Sequence, residues 1–215
     1  MEVKVLKNIL SANDRIAEKN RALLDENGVL ALNIMASPGA GKTSIIMSTI
    51  KALNGEYGIG VIEGDIASSV DAEKVSREGI PAVQINTGGG CHLDANMISD
   101  SLPDLPLDKL DFIFIENVGN LICPASYALG DRRRIIIASI PEGDDKPIKY
   151  PIMFHDADLI VLNKVDLAPY VNFDRAAFRQ AIKNLNDKTP IIEVSCTTGE
   201  GLDEWLTWLK AQKIK

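Results

Sequence analysis

The sequence has few cysteines and no long apolar run, and each scarcity excludes a class of protein. Three cysteines among 215 residues are an odd number, and a reducing compartment disfavours a disulfide framework, so thiol or metal chemistry is the better interpretation. No apolar stretch approaches the roughly 20 residues that span a bilayer, and residues 1–7 are not followed by the apolar core of a signal peptide. We therefore expect a cytoplasmic protein with no membrane association.

Basic residues are also scarce. The net charge is -7, and the only dense basic block is the arginine triplet at 132–134. Such a surface repels nucleic acids and anionic membranes at long range, so neither is an expected partner. The 46% hydrophobic and 25% charged content is ordinary for a globular chain. Its length, without repeats or low-complexity tracts, predicts a single domain over 1–215.

What the sequence does contain is a regular alternation of apolar runs and amphipathic segments. The apolar runs predict strands that are covered on both faces, as in a parallel sheet, at 29–36, 59–62, 82–85, 112–115, 135–138, 159–162 and 191–194. Helical spacing predicts helices at 5–24, from about Thr43, and at 70–77, 93–101, 173–185 and 202–213.

This order predicts a doubly wound α/β domain, with a mostly parallel sheet and helices on both faces. Residues 1–28 are expected to form an N-terminal helix packed against it, ending at Asn27-Gly28 as at a helix C-cap. The segments 102–108 and 141–151 are rich in proline and acidic residues, so we predict loops there.

A phosphate-binding loop is predicted at 37–43, where Ser-Pro-Gly-Ala-Gly-Lys-Thr lies between the first strand and a helix. In a P-loop, backbone N–H groups and the helix N-terminus hold the phosphates, Lys42 neutralises the β and γ oxygens, and Thr43 binds Mg²⁺. Ala36 replaces the usual first glycine, which fits a variant P-loop. A turn without chemical role is disfavoured, because nothing structural requires Gly-Lys-Thr in that order. The residues assigned to phosphate binding are Ser37, Pro38, Gly39, Ala40, Gly41, Lys42, Thr43 and Ser44.

The segment Asn163-Lys164-Val165-Asp166 follows a predicted strand, about 120 residues after the P-loop. Ligands bind at the carboxyl ends of strands in open α/β sheets. Asp166 can accept from both N–H donors of guanine, which adenine does not offer, and the stem of Lys164 can cover the base. Ser195 and Cys196 begin a second base-contacting loop, in which we expect backbone contact and a structural Cys196 thiol. GTP is therefore the favoured nucleotide. An ordinary polar turn is the alternative.

Glu116 ends a predicted strand and precedes Asn117-Val118-Gly119, which corresponds to the D-x-x-G segment of GTPases. There the Gly119 N–H could meet the γ-phosphate, and Glu116 could hold Mg²⁺ directly or through water. Asp65 and Asp71 are candidates for another magnesium carboxylate. Asp65 could instead orient the attacking water, and for either residue a helix cap or a solvated charge stays open. No glutamine follows Gly119 directly, so we expect slow hydrolysis.

Cys91, His92 and Cys123 supply two thiolates and an imidazole, ligands that suit Zn²⁺ and also Ni²⁺. Three ligands do not close a tetrahedral site, so water or a second subunit would complete it. Cysteine is also a common core residue and His92 could simply bond a loop. The three residues nevertheless flank both segments expected to sense the γ-phosphate. We therefore predict a labile metal site that responds to the nucleotide, and interpret His155 as a structural loop residue.

With these residues in place, the chain resembles the hydrogenase nickel-incorporation GTPases, the HypB family of SIMIBI-class P-loop proteins. The resemblance implies GTP hydrolysis coupled to nickel delivery into the large subunit of [NiFe]-hydrogenase, and a GTP-promoted homodimer with Cys91, His92 and Cys123 at its interface. It also makes Asp71 the first choice for the magnesium carboxylate. The segments that carry it are 36–43, 64–66, 86–88, 91–94, 116–124, 163–166 and 198–201.

One departure concerns metal capture. Many bacterial members of the family carry an N-terminal cysteine motif or a histidine-rich tract, whereas no cysteine precedes Cys91 here and no histidine precedes His92. The chain thus resembles an archaeal form that lacks the N-terminal nickel-binding motif. We expect a separate zinc- and nickel-binding maturation partner, similar to HypA, to supply the ion, and the hydrogenase large-subunit precursor to receive it.

Other functions are compatible with these motifs. A GTPase of the same class could load another metalloenzyme, such as urease or a cobalamin enzyme. A small-molecule kinase with a structural zinc would consume nucleotide faster when a phosphate acceptor is present. A non-catalytic metal-binding scaffold would show no change in turnover when Lys42 is replaced by alanine.

Overall fold

The computed structural model describes residues 9–53, 55–66 and 70–213, with side chains from residue 12 onward except those of 70 and 71. Its strands are β1 (Leu30–Ala36), β2 (Ile59–Asp65), β3 (Ala82–Asn86), β4 (Phe112–Glu116), β5 (Arg133–Ser139), β6 (Leu159–Asn163) and β7 (Ile191–Val194). Its helices are α1 (Ile9–Glu26), α2 (Lys42–Leu53), α3 (Val70–Arg77), α4 (Ala95–Ser101), α5 (Lys146–Lys149), α6 (Pro151–His155), α7 (Arg175–Leu185) and α8 (Leu202–Ala211).

The seven described strands form one sheet in the order β3-β2-β4-β1-β5-β6-β7. Every pair of neighbouring strands is parallel. The predicted α/β class is confirmed, and the described strands are entirely rather than mostly parallel. Because β1 lies in the middle, between β4 and β5, the loop that follows it opens at the centre of the carboxyl edge of the sheet.

Helices cover both faces of this sheet, as predicted. Leu32 and Ile34 of β1 pack in one cluster with α2 and α8. Alternate residues of a strand point to opposite faces, and Ala31 accordingly packs in a second cluster with α1 and α4, while Met35 packs with α6 and α7. Burial on both faces explains the almost continuous apolar sequence of β1.

The N-terminal helix α1 packs against α4 and is also held by two asparagines. Asn13 Nδ2 donates to the Ala128 carbonyl at 2.9 Å, and Asn13 Oδ1 accepts from the Ala95 N–H at 2.9 Å. Asn20 Nδ2 donates to the carbonyls of Ala95 and Leu129 at 2.8 and 3.0 Å. The first part of the predicted helix, 5–8, lies outside the described residues.

The two segments predicted as loops contain short helical turns, so that prediction is wrong in part. The first includes 3-10 turns at Leu102–Asp104 and Leu107–Lys109, and the second includes α5 and the start of α6. Prolines that suggested loops stand in the first turn of several of these elements. Proline is tolerated there because its missing N–H would have no partner within the helix.

Capping residues set the starts of two helices later than predicted. The Asp94 carboxylate accepts from the Met97 N–H, so α4 begins at Ala95 rather than at 93. Asp174 accepts in the same way from Ala177 N–H, and α7 begins at Arg175 rather than at 173. None of the helices in the described ranges combines the length and apolar character needed to cross a bilayer.

Candidate nucleotide and metal site

The predicted phosphate loop lies between β1, which ends at Ala36, and α2, which begins at Lys42. Gly39 and Gly41 have φ angles of +79° and +106°, in the region that glycine adopts without strain. A Cβ added at Gly41 would also overlap the side-chain amide of Asn163. The sequence therefore needs glycine here for both conformation and space, and the loop leads into a helix N-terminus suited to an anion.

A cavity of about 510 Å³ opens above this loop and brings the predicted phosphate and switch residues together. Its walls include Pro38, Gly39, Gly41, Lys42, Thr43, Ser44, Asp65, Glu116, Gly119 and Lys164. Ser37 and Ala40 stand outside this lining. Ala40 is buried, and its carbonyl accepts from Asn163 Nδ2 at 2.9 Å.

The residues of this lining that sequence reasoning missed include Glu63, Lys74 and Gln84. Glu63 is 3% exposed and lies beside Glu116 in the register of β2 and β4. A carboxylate inside an apolar strand was the signal that could have found it, because buried acids usually have a specific partner. Nothing in the sequence distinguished Lys74 or Gln84.

Two of the predicted magnesium residues, Thr43 and Glu116, meet beside the phosphate loop. Thr43 Oγ1 donates to Glu116 Oε1 at 2.9 Å, and Lys42 Nζ lies 3.9 Å from the same oxygen. Hydroxyl and carboxylate oxygens next to a phosphate loop form a donor set that fits Mg²⁺. Asp65 ends β2 and lines the cavity. Asp71 belongs to α3, but its side chain lies outside the described residues, so the choice between these aspartates stays a prediction.

The predicted base-recognition segment is joined directly to the phosphate loop. Lys164 Nζ donates to the Gly39 carbonyl at 2.6 Å, and the Lys164 N–H donates to Asn163 Oδ1 at 2.8 Å. Among the described residues, Lys164 is the only one other than glycine with a positive φ, at 61°. Such conformations cost energy and concentrate at functional sites. The geometry thus joins this segment to the phosphate loop, and its role in base recognition stays a prediction.

The second base loop supports Asp166 through a side chain. Ser195 Oγ donates to Asp166 Oδ1 at 2.6 Å, while the Ser195 backbone N–H donates to the Glu200 carbonyl at 2.9 Å. The Ser195 N–H and carbonyl are therefore both occupied within the loop, since the carbonyl accepts from the Gly199 N–H at 2.9 Å, and the hydroxyl of Ser195 orients the Asp166 carboxylate. Cys196 Sγ lies 3.8 Å from Asn163 Oδ1, and burial raises the pKa of the Cys196 thiol. A neutral, half-buried thiol agrees with the predicted structural role.

The three predicted metal ligands meet in one cluster, with their ligand atoms all within 4.8 Å of one another. Cys91 Sγ lies 3.6 Å from His92 Nδ1, and the His92 ring stacks on Tyr127 with centroids 3.9 Å apart. A hydrogen bond with Cys123, together with desolvation, raises the pKa of the Cys91 thiol. Two sulfurs and an imidazole form a donor set that fits Zn²⁺ or Ni²⁺ and leaves a coordination position open.

His155 lies apart from this cluster. Its Nδ1 is 2.6 Å from Asp156 Oδ1, and its side chain is exposed.

Asn117, which sequence reasoning passed over, joins the cavity to the cluster. Its Nδ2 donates to Asn33 Oδ1 at 3.1 Å, and its Oδ1 accepts from the N–H groups of Leu93 and Val118 at 3.1 and 3.0 Å. Asn117 is 1% exposed, so these bonds form where water does not compete. The segment after Glu116 is thereby bonded to the segment after His92.

Comparisons with known proteins agree with this arrangement. The family model described as "CobW/HypB/UreG, nucleotide-binding domain" matches residues 30–193. The hydrogenase maturation factor HypB of Escherichia coli K12 is 47% identical over 213 residues, covering 99% of this chain and 73% of that protein. The hydrogenase/urease maturation factor HypB of Helicobacter pylori is 39% identical, and the match covers 99% of this chain and 88% of that protein. The crystal structure of Helicobacter pylori HypB in complex with nickel superposes with a TM-score of 0.90 at 36% identity, covering 94% of this chain and 95% of that one.

Proposed function

Because the chain belongs to the HypB family of hydrogenase maturation factors, we propose that it is a GTP-hydrolysing metallochaperone. In this proposal GTP-dependent homodimerisation is coupled to nickel delivery during [NiFe]-hydrogenase maturation. The nucleotide occupies the cavity above the phosphate loop, and nickel is the cargo of the Cys91/His92/Cys123 cluster.

One observation carries this proposal. The Cys91/His92/Cys123 cluster is joined by hydrogen bonds to a segment that lines the cavity above the phosphate loop. Glu116 lines the cavity, and the next residue, Asn117, is bonded to Leu93, which follows His92. A change at the γ-phosphate would therefore reach the metal ligands through directly bonded neighbours. This arrangement suits an ion in transit better than one that holds a fold together.

The hydrolysis step uses residues already placed around the cavity. Water attacks the γ-phosphorus of GTP while the bond from that phosphorus to the bridging oxygen of GDP breaks, yielding GDP and inorganic phosphate. Lys42 neutralises developing charge on the phosphate oxygens, and the Gly119 N–H donates to the γ-phosphate. Thr43 and Glu116 would hold Mg²⁺, which supplies further charge neutralisation when bound. Asp71 or Asp65 would supply a further magnesium carboxylate, and if Asp71 fills that role Asp65 would orient the water. Asp166 selects guanine.

Transfer requires assembly, because three ligands leave the site open. The partner subunit would complete it in the GTP-bound dimer. A zinc- and nickel-binding maturation partner similar to HypA would supply the ion, and the hydrogenase large-subunit precursor would receive it. We place these events in the cytoplasm, where the free thiols of Cys91, Cys123 and Cys196 would remain reduced.

The chain offers a matched pair of histidines for the test. We expect His92→Ala to weaken Ni²⁺ binding at least tenfold, because it removes one of three ligands, whereas His155→Ala binds as the wild type does. Ni²⁺ affinity by chelator competition and mass by light scattering are measured with GDP and with a non-hydrolysable GTP analogue. The wild type should dimerise with the analogue and change its Ni²⁺ affinity. Equal Ni²⁺ binding by wild type, His92→Ala, Cys91→Ala and Cys123→Ala would refute the proposal.

A second client is favoured by the name of one relative, the hydrogenase/urease maturation factor of Helicobacter pylori. If this chain also loads urease, a strain lacking it loses both hydrogenase and urease activity, and both return with the wild-type chain. If it serves hydrogenase alone, urease activity is unchanged by the deletion.

A further inference from the structure

We propose that Asn120 is a positioning residue that sets the geometry of the Cys91/His92/Cys123 cluster and ties it to the phosphate loop. The first part of this inference concerns the metal site by itself. The second part, that nucleotide state is transmitted through Asn120, rests on the proposed function.

The side chain of Asn120 bridges the two segments that carry the thiols. Its Nδ2 donates to the Cys91 carbonyl at 3.2 Å. Its Oδ1 accepts from the Ile122 N–H at 2.9 Å, and Ile122 directly precedes Cys123. One planar amide thus spans the gap between the backbone of the first thiol and the peptide next to the second. The separation of the two sulfurs depends on this amide.

The backbone of Asn120 is held at the phosphate loop. Its N–H donates to the Ala36 carbonyl at 2.8 Å, where β1 ends and the loop begins. The preceding residue, Gly119, lies close against the loop, since an added Cβ would be 3.0 to 3.1 Å from atoms of Pro38. Any displacement of Gly119 toward a γ-phosphate would therefore move Asn120, and with it both thiol segments.

Asparagine meets a chemical requirement at this position. The Cys91 carbonyl needs a donor and the Ile122 N–H needs an acceptor, and a side-chain amide offers both in one rigid plane. Serine could still accept from Ile122 N–H in a local turn, but its side chain is too short to reach Cys91. Alanine makes neither bond. Residues that orient metal ligands typically change metal affinity about 10- to 100-fold when they are replaced.

The test compares Asn120→Ala and Asn120→Ser with the control Asn96→Ala. Asn96 is an exposed residue of α4 whose Nδ2 donates to Asp100 Oδ2 at 3.2 Å. Ni²⁺ affinity is measured by chelator competition in nucleotide-free, GDP-bound and GTP-analogue-bound protein. The thiolate-to-nickel absorption bands report the ligand geometry, and thermal unfolding of the metal-free proteins checks that each variant is folded.

We expect Asn120→Ala to bind Ni²⁺ at least tenfold more weakly than the wild type without nucleotide, and to shift the absorption bands. Its affinity for the GTP analogue should stay within about twofold, and its Ni²⁺ affinities in the two nucleotide states should become equal. Asn120→Ser should behave as Asn120→Ala does, because both lose the Cys91 contact. Asn96→Ala should match the wild type throughout.

Two results overturn the inference at different points. The first is that folded, nucleotide-free Asn120→Ala or Asn120→Ser binds Ni²⁺ with the affinity and the absorption bands of the wild type. That result would show that the contact with the Cys91 carbonyl does not position the site. A full difference between nucleotide states in Asn120→Ala would show that coupling takes another route. If the Ni²⁺ affinity of the wild type is the same with GDP and with the GTP analogue, the proposed function is wrong. Weaker Ni²⁺ binding by nucleotide-free Asn120→Ala would still establish the positioning role.

Discussion

At the residue scale, the side chains that carry the proposed chemistry depend on neighbours that hold them in place. Asp166 is the clearest case, because its carboxylate is oriented by Ser195 Oγ at 2.6 Å. That hydroxyl in turn accepts from the Thr198 N–H at 3.1 Å. An acceptor held in this way selects a base by the number of N–H donors that the base presents.

Asp166→Asn is expected to change the preferred base from guanine to xanthine. The amide introduced by this substitution would present an N–H donor to an N–H donor of guanine, so one hydrogen bond is lost and two donors face each other. The binding free energy falls by about 1–3 kcal/mol, which is roughly a 5- to 150-fold loss of GTP affinity. Xanthine instead presents an oxygen at that position and can accept. Equilibrium binding of labelled GTP, ATP and XTP measures the change. The control is Asp187→Asn, because the Asp187 side chain is exposed. An unchanged GTP affinity of Asp166→Asn would contradict the role of Asp166 in guanine recognition.

At the element scale, α1 contacts both segments that follow the predicted metal ligands. Asn13 and Asn20 occupy the backbone N–H and carbonyl of Ala95, the first residue of α4, and the carbonyls of Ala128 and Leu129. The neighbouring Tyr127 stacks on His92. In the described part of the helix, from Ile9 onward, these asparagines join α1 to the segments that follow His92 and Cys123.

We predict that Asn20→Ala lowers the free energy of unfolding by about 1–3 kcal/mol, because two buried carbonyls lose their donor. Asn27→Ala is the matched control just beyond the same helix, since its Nδ2 makes an exposed bond to the Leu23 carbonyl at 2.8 Å. It should cost less than about 0.5 kcal/mol. Urea unfolding followed by circular dichroism gives both values, and equal effects would show that α1 is not held through Asn20.

At the scale of the whole molecule, the described strands form one sheet with helices on both faces, and we propose that the chain is a single domain. The C-terminal helix is part of this unit. Trp205 of α8 is fully buried, and its Nε1 donates to Thr49 Oγ1 in α2 at 2.7 Å. Losing α8 would therefore expose the cluster that packs beneath β1.

A single domain should unfold in one cooperative transition. Both tryptophans of the sequence, Trp205 and Trp208, lie in α8, so fluorescence reports that helix while far-ultraviolet circular dichroism reports the whole chain. We expect the two signals to give the same urea midpoint. An earlier midpoint for fluorescence would mean that α8 detaches separately and that the chain contains more than one folding unit.

The sequence by itself determined the features whose chemistry is local. Each of these features depends on residue type over a few positions and can therefore be recognised in the sequence. They are the buried strands, the glycines of the phosphate loop, the Asn-Lys-x-Asp segment, and the cysteines at 91 and 123. Proline was misleading at 102–108 and 141–151, since it permits both a loop and the first turn of a helix.

Only the tertiary structure decided which distant residues meet. It placed β1 between β4 and β5, brought Cys91 to Cys123, and paired Asn117 with Leu93 and Asn120 with both thiol segments. An asparagine amide can bond to any exposed backbone group, so its residue type does not identify its partner. Those partners are set by the order in which parallel strands assemble, which brings segments far apart in the chain to one edge of the sheet.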